Sequence, residues 1–159
     1  MRKGWVRVVT TAGLAIGFLA TLGAVPARAQ GVDFGVRAGG YLDHQDPFVG
    51  LEVLSRLGSS DWYANPNVEF IFADTRDRVS LNFDFHYDFL VTKDYYLWAG
   101  GGPAVIHIDS DRGHSAETNG GVNLLGGIGW RLQGFTPYAQ LKIVLSNDSS
   151  VAAGVGIRF

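Results

Sequence analysis

The chain has 159 residues, no cysteine, 22 glycines and a formal charge of −2. Without cysteine there is neither a disulfide framework nor a thiol nucleophile, and an acidic balance argues against nucleic acid as a partner. The glycines follow no collagen-like period; they sit inside strand-like runs.

Arg2, Lys3 and Arg7 precede an apolar run from Val8 to Val25 that ends in Pro26-Ala-Arg-Ala29. A positive start, an apolar middle and small residues at 27 and 29 predict a secretory signal peptide over residues 1–29, cleaved after Ala29. The alternative is a retained membrane anchor, since the run is nearly long enough to span a bilayer; Gly13, Gly17, Gly23 and the Ala-x-Ala site favour removal. Removal takes away four of the 13 basic residues and no acidic one, so nine basic residues face 15 acidic ones and the charge falls to about −6. The remaining domain, residues 30–159, must hold together by burial and backbone hydrogen bonds alone.

Period-2 runs then recur between short polar turns. Val32 to Tyr41 sets Val32, Phe34, Val36 and Ala38 against Asp33, Gly35, Arg37 and Gly39. After the turn Asp43-His-Gln-Asp46, Phe48 to Leu57 sets Val49, Leu51, Val53 and Leu57 against Gly50, Glu52 and Arg56, with Leu54 breaking the alternation. Trp62 to Ala73 sets Trp62, Val68, Phe70 and Phe72 against Asn65, Asn67 and Glu69, with Pro66 expected near a rim. From Val79 to Val91 every odd position is apolar, and Ser80, Asn82, Asp84, His86 and Asp88 lie between them. A helix could not sort residues this way.

Tyr95 to Ile108 is interrupted by Gly100-Gly-Gly-Pro103, which predicts a bend or bulge; Leu97, Ala99 and Val105 are placed outward. Gly121 to Leu132 sets Val122, Leu124, Ile128, Trp130 and Leu132 against Asn123, Gly127, Gly129 and Arg131, and Gln133-Gly134 predicts a tight turn. Thr136 to Leu145 alternates Ala139, Leu141, Ile143 and Leu145 with Tyr138, Gln140 and Lys142. The last run puts Val151, Ala153, Val155, Ile157 and Phe159 on one face and Ala152, Gly154, Gly156 and Arg158 on the other.

Eight such strands, about nine to thirteen residues each, predict an all-β, antiparallel up-and-down barrel able to cross a bilayer at a tilt. The apolar face can line a soluble, lipocalin-like periplasmic barrel or face lipid. Sparse charge on the polar face, and apolar residues reaching the strand ends with Trp62, Tyr87, Phe89, Trp130 and Phe159 near the interfaces, favour lipid. The polar face collects Asp33, Glu52, Glu69, Asp84 and Asp88 against Arg37, Arg56, Arg131, Lys142 and Arg158, with His86. In a lumen only wide enough for side chains, that near-balance predicts a charge network that plugs the barrel. A narrow porin-like channel is the alternative.

The chain resembles the small eight-stranded outer-membrane barrels, the group that includes the transmembrane domain of outer-membrane protein A and outer-membrane protein X. The likeness rests on the signal peptide, the strand count, the Gly-rich alternation and the terminal Gly-Val-Gly-Ile-Arg-Phe159. It implies a monomeric, non-enzymatic barrel in a Gram-negative outer membrane, in contact with lipid and lipopolysaccharide, serving envelope integrity, adhesion or host interaction. It also implies that the terminal strand, through Val155, Ile157 and Phe159, is the signal read by the barrel-assembly machinery. The chain departs in carrying no peptidoglycan-binding domain after the barrel and in its short loops.

Other chemistry is weaker, and no cofactor or metal is expected. Asp84, His86 and Asp88 share a face as a proton relay would, but small barrels fill their interiors with such groups. Asp109-Ser-Asp-Arg-Gly-His-Ser-Ala-Glu117 offers a divalent cation acids and His114, with His44 or His107 nearby, yet its spacing fits no oxygen-ligand loop. His114-Ser115 invites comparison with barrel enzymes that modify lipopolysaccharide; adjacent residues on a strand point to opposite faces, and the longer deacylase pattern His-x-Ser-Asn is absent.

Overall fold

The computed structural model describes residues 31–74, 76–109 and 116–159. The expected signal peptide and the His114-Ser115 pair lie outside them. Eight strands form a closed antiparallel barrel in sequence order: β1 Val32–Tyr41, β2 Asp46–Arg56, β3 Trp62–Ile71, β4 Arg78–Val91, β5 Tyr95–Ile108, β6 Glu117–Trp130, β7 Thr136–Leu145 and β8 Ser150–Arg158. Closure between β1 and β8 removes both sheet edges.

Pairing fixes the shape. Stepping from Val32 through its successive partners Ser55, Ala64, Phe85, Gly101, Leu124, Ile143 and Val151 returns to β1 at Leu42, whose N–H donates to the Val151 carbonyl at 2.7 Å. One circuit therefore climbs ten residues, from Val32 at the start of β1 to Leu42, one residue past its end. With ordinary strand spacings that shear tilts the strands by about 43°, and ten residues rise about 24 Å along the axis. A backbone cylinder of this kind has room inside for side chains and little else.

The alternation sorts charge completely. Every Asp, Glu, Lys and Arg within the eight strands has lumen parity. Leu81, Phe83, Val122, Leu124, Leu141, Ile143 and Val155 stand exposed on the outside, so the exterior is an apolar belt. Trp62 and Tyr87 pack at 5.5 Å at the end of the barrel where the chain terminates; Phe34 and Phe159 exchange backbone hydrogen bonds there, at 2.8 and 3.2 Å.

Four local expectations need correction. Asp46 does not belong to the first turn; it opens β2, pairs with Tyr41 and bonds Arg78. β6 starts at Glu117, four residues before the expected Gly121, because its first residues extend the β5 ladder to Ile108↔Glu117. Pro66 lies in mid-strand, not at a rim, paired with Phe83 on β4. It has no N–H to give β2, the β2–β3 ladder lapses between Glu52↔Asn67 and Ser55↔Ala64, and the Asn65 side-chain amide donates to the Val53 carbonyl at 3.0 Å instead.

The glycines at 100–102 do not mark a bulge. The β5–β6 register runs unbroken through them, and on the β4 side it is the same before and after, the shift falling at Asp88/Leu90. They permit close approach: a Cβ on Gly100 would lie 1.9 Å from the Phe85 carbonyl oxygen, and one on Gly102 2.1 Å from that of Phe83. Gly134 does make the expected tight turn, at φ +89°.

Candidate functional site: the lumen

The lumen is built of rows in which long side chains meet across a glycine. Arg37 of β1, Gly50 of β2 and Glu69 of β3 are consecutive register partners, and the guanidinium bonds the carboxylate over the glycine. Glu52 of β2, Gly35 of β1 and Arg158 of β8 form a second such row, with Arg158 Nε donating to Glu52 Oε1 at 2.7 Å. Asn123 lies beside Gly102 in register, and its amide reaches Asp84 of β4, on the far side of β5, at 2.8 Å. A side chain on the central residue would stand in the way: a Cβ on Gly35 would come within 2.7 Å of Glu52 Oε1. Glycine on the polar face is thus what lets acid and base from next-but-one strands touch.

These rows join into one chain of alternating charge. Lys142 Nζ bonds Glu69 Oε2 at 2.5 Å, Glu69 bonds Arg37, Arg37 Nη1 reaches Glu52 Oε2 at 3.4 Å, and Glu52 bonds Arg158. Asp84 is held by amides: Asn67 and Asn123 donate to its two oxygens at 2.9 and 2.8 Å. Asn82, Ser80 and Asn65 extend this amide network. Glu69 and Asp84 are fully buried, and Lys142 and Arg158 are 2% and 1% exposed. Buried charges of this kind persist only when paired and hydrogen-bonded.

Above and below the charged layer lie two apolar ones. Toward the loops, Tyr41, Phe48, Ile71, Val144 and Ala152 cluster, with Ile106 packed against them. Tyr41 ties this cap to the charges by donating to Glu69 at 2.8 Å. Toward the chain ends, Tyr96, Trp98, Leu125 and Tyr138 cluster; Arg158 lies 4.2 Å over the Tyr138 ring and 5.2 Å over Trp98. The cavity between Arg37, Phe48, Gln140 and Lys142 measures ≈ 10 Å³, about one water molecule.

The expected network is therefore divided. Arg37, Glu52, Glu69, Lys142 and Arg158 come together, and Asp84 joins them through amides. Asp33 is exposed on β1. Arg56 is an exception: it is exposed and bonds Asp61 and the Ser60 carbonyl in the β2–β3 turn. Arg131 is also outside, because β6 ends at Trp130; it donates to the Thr92 carbonyl at 2.9 Å and covers the Tyr96 ring at 5.2 Å. Asp84, His86 and Asp88 do not form a relay. Asp84 is taken by the two asparagines, while His86 stacks on Tyr63 and leans on Trp98, with Asp88 3.5 Å from its Nε2. His44 approaches Asp148 at 4.0 Å and His107 bonds Thr118; among the described residues no group of three or more His, Cys, Asp or Glu could hold a metal ion.

Sequence reasoning missed the apolar lumen layers. Ile71, Ala104, Leu125 and Val144 have lumen parity and are buried, and parity from the neighbouring polar residues was the signal that could have placed them.

No family model matches the sequence, and no curated protein matches it closely enough to count as a relative. Solved structures do match. The N-terminal β-barrel domain of Pseudomonas aeruginosa OprF is 16% identical, over 80% of this chain and 95% of that one, with a TM-score of 0.69. Neisserial surface protein A is 15% identical, over 80% of this chain and 92% of that one, at 0.58. Ail, the attachment invasion locus protein of Yersinia pestis, is 13% identical, over 81% of this chain and 97% of that one, at 0.50. The fold is that of the small outer-membrane β-barrels. The belt of apolar side chains around this barrel is what that fold turns to lipid.

Proposed function

We propose that this chain is an integral outer-membrane barrel that does no chemistry, is closed to ions along its axis, and serves the envelope or its surface contacts. The observation that carries it is the complete sorting of charge: all strand carboxylates and cations have lumen parity, while the outside is apolar around the whole circumference. A soluble lipocalin-like barrel would need the reverse. Closure is supported by the layering, with an alternating chain of buried ion pairs between two apolar clusters.

The even strand number puts both ends of the barrel domain on one side, which in this family of folds is the periplasmic side. The loops after β1, β3, β5 and β7 then face outward, toward lipopolysaccharide. Val155, Ile157 and Phe159 stand exposed on the outside of β8, where the assembly machinery could read them. The match of fold to OprF, Neisserial surface protein A and Ail supports the setting; it carries no activity across.

Cell fractionation tests the membrane assignment. The protein is expected in the outer-membrane pellet, released by detergent and not by high salt or osmotic shock. Recovery in the osmotic-shock fluid would favour the soluble barrel. Removing Phe159 is expected to lower the outer-membrane level several-fold, and an unchanged level would dismiss the terminal strand as the assembly signal.

A further inference from the structure

Seven of the eight strand pairs are joined by a short connection that sets their register; β1 and β8 are not. Parity forbids a slip of one residue at that seam, since it would drive Arg158 into lipid. A slip of two keeps parity. The small alternating residues of β8, Val151-Ala-Ala-Gly-Val-Gly-Ile157, discriminate poorly against it.

One carboxylate holds both strands of the seam. Glu52 Oε1 accepts from Arg158 of β8 at 2.7 Å and Oε2 from Arg37 of β1 at 3.4 Å. Glu52 sits on β2, so it reaches β8 by crossing β1, and it crosses at Gly35, the register partner of both Glu52 and Arg158. There a Cβ would lie 2.8 Å from Glu52 Cγ. A two-residue slip would set Arg158 opposite Asp33 or Arg37 in place of Gly35, and the crossing would be lost.

We propose that Glu52, Gly35 and Arg158 form a closure latch, which selects the register of the seam and with it the shear of the barrel. Arg37 and Glu69 form a like pair over Gly50, but between strands that a turn already registers. That row serves as the control.

The chain lacks cysteine, so engineered pairs report the register. Ala38→Cys with Val155→Cys marks the native seam, where these residues are partners; Val36→Cys or Gly40→Cys with Val155→Cys marks a slip of two. Two variants break the latch: Gly35→Val, which keeps both charges, and Glu52→Leu with Arg158→Leu, which leaves neither member of the pair alone. In either, the native crosslink is expected to fall about tenfold with a slipped one appearing, and amides of β1 and β8 to exchange about a hundredfold faster than in the parent, those of β3 and β4 remaining protected. Failure of both latch variants to refold, with Gly50→Val refolding, would also support the latch. An undiminished native crosslink, or exchange accelerated equally in every strand, would overturn it. So would Gly50→Val disturbing the β1–β8 crosslink as much as Gly35→Val.

Discussion

Glu69 shows what a single side chain does in this lumen. It takes Arg37 and Tyr41 from β1 and Lys142 from β7, so Glu69→Gln would strip the buried Lys142 of its carboxylate and leave Arg37 with Glu52 alone. The expected cost is about 3–5 kcal/mol, read as a lower urea midpoint of the refolded protein in lipid. Arg131→Ala is expected to shift that midpoint by less than about 0.5 kcal/mol, because Arg131 caps an exposed turn; a large loss would mean that it reaches a buried acid. The glycines divide in the same manner. Gly100→Ala would drive a Cβ onto the Phe85 carbonyl and should cost about 3 kcal/mol or more, whereas Gly120→Ala meets nothing within 4 Å and should be silent in the same titration.

At the scale of the strand, alternation is the property that reads directly from sequence. In β4 the odd residues Leu81, Phe83 and Tyr87 are exposed and the even residues Ser80, Asn82, Asp84, His86 and Asp88 are buried, as period-2 sorting requires. Parity also placed Leu97, Ala99 and Val105 outward in β5 despite the glycines. Two things were not legible. Period-2 logic treats an apolar residue at a lumen position as an error and so does not place Ile71, Leu125 and Val144, although the ends of a narrow lumen can be filled by apolar groups as well as polar ones. Parity alone also does not say where a strand ends: Arg56, the last residue of β2, has lumen parity but is exposed and bonds the turn, and Arg131 lies one residue beyond β6. The lipid-facing side of an element makes its own prediction: Leu141, 61% exposed at mid-height on β7, should accept Lys only at about 2–4 kcal/mol in a bilayer. A neutral Leu141→Lys in lipid would mean that this face is wet.

For the whole molecule, strand count and closure followed from the sequence, but the ten-residue climb did not. Shear depends on which residue pairs with which, and the partnerships that decide it, such as Glu52 with Arg158, join residues 106 apart in sequence. The same distance hides the ion-pair partners: the sequence offers acids and bases in near balance, and only the closed barrel brings Lys142 of β7 across the lumen to Glu69 of β3 and Arg158 over Gly35 to Glu52. Together they leave a barrel whose axis is crossed by paired charges between two apolar layers.

Whether ions pass along that axis is decided by conductance. The protein would be refolded, inserted into a planar bilayer, and its insertion verified by protease protection of the same membranes. Inserted protein is predicted to give no resolved current steps. Stable, ion-selective steps from verified insertions would contradict the closed lumen and make passive diffusion the function of the barrel.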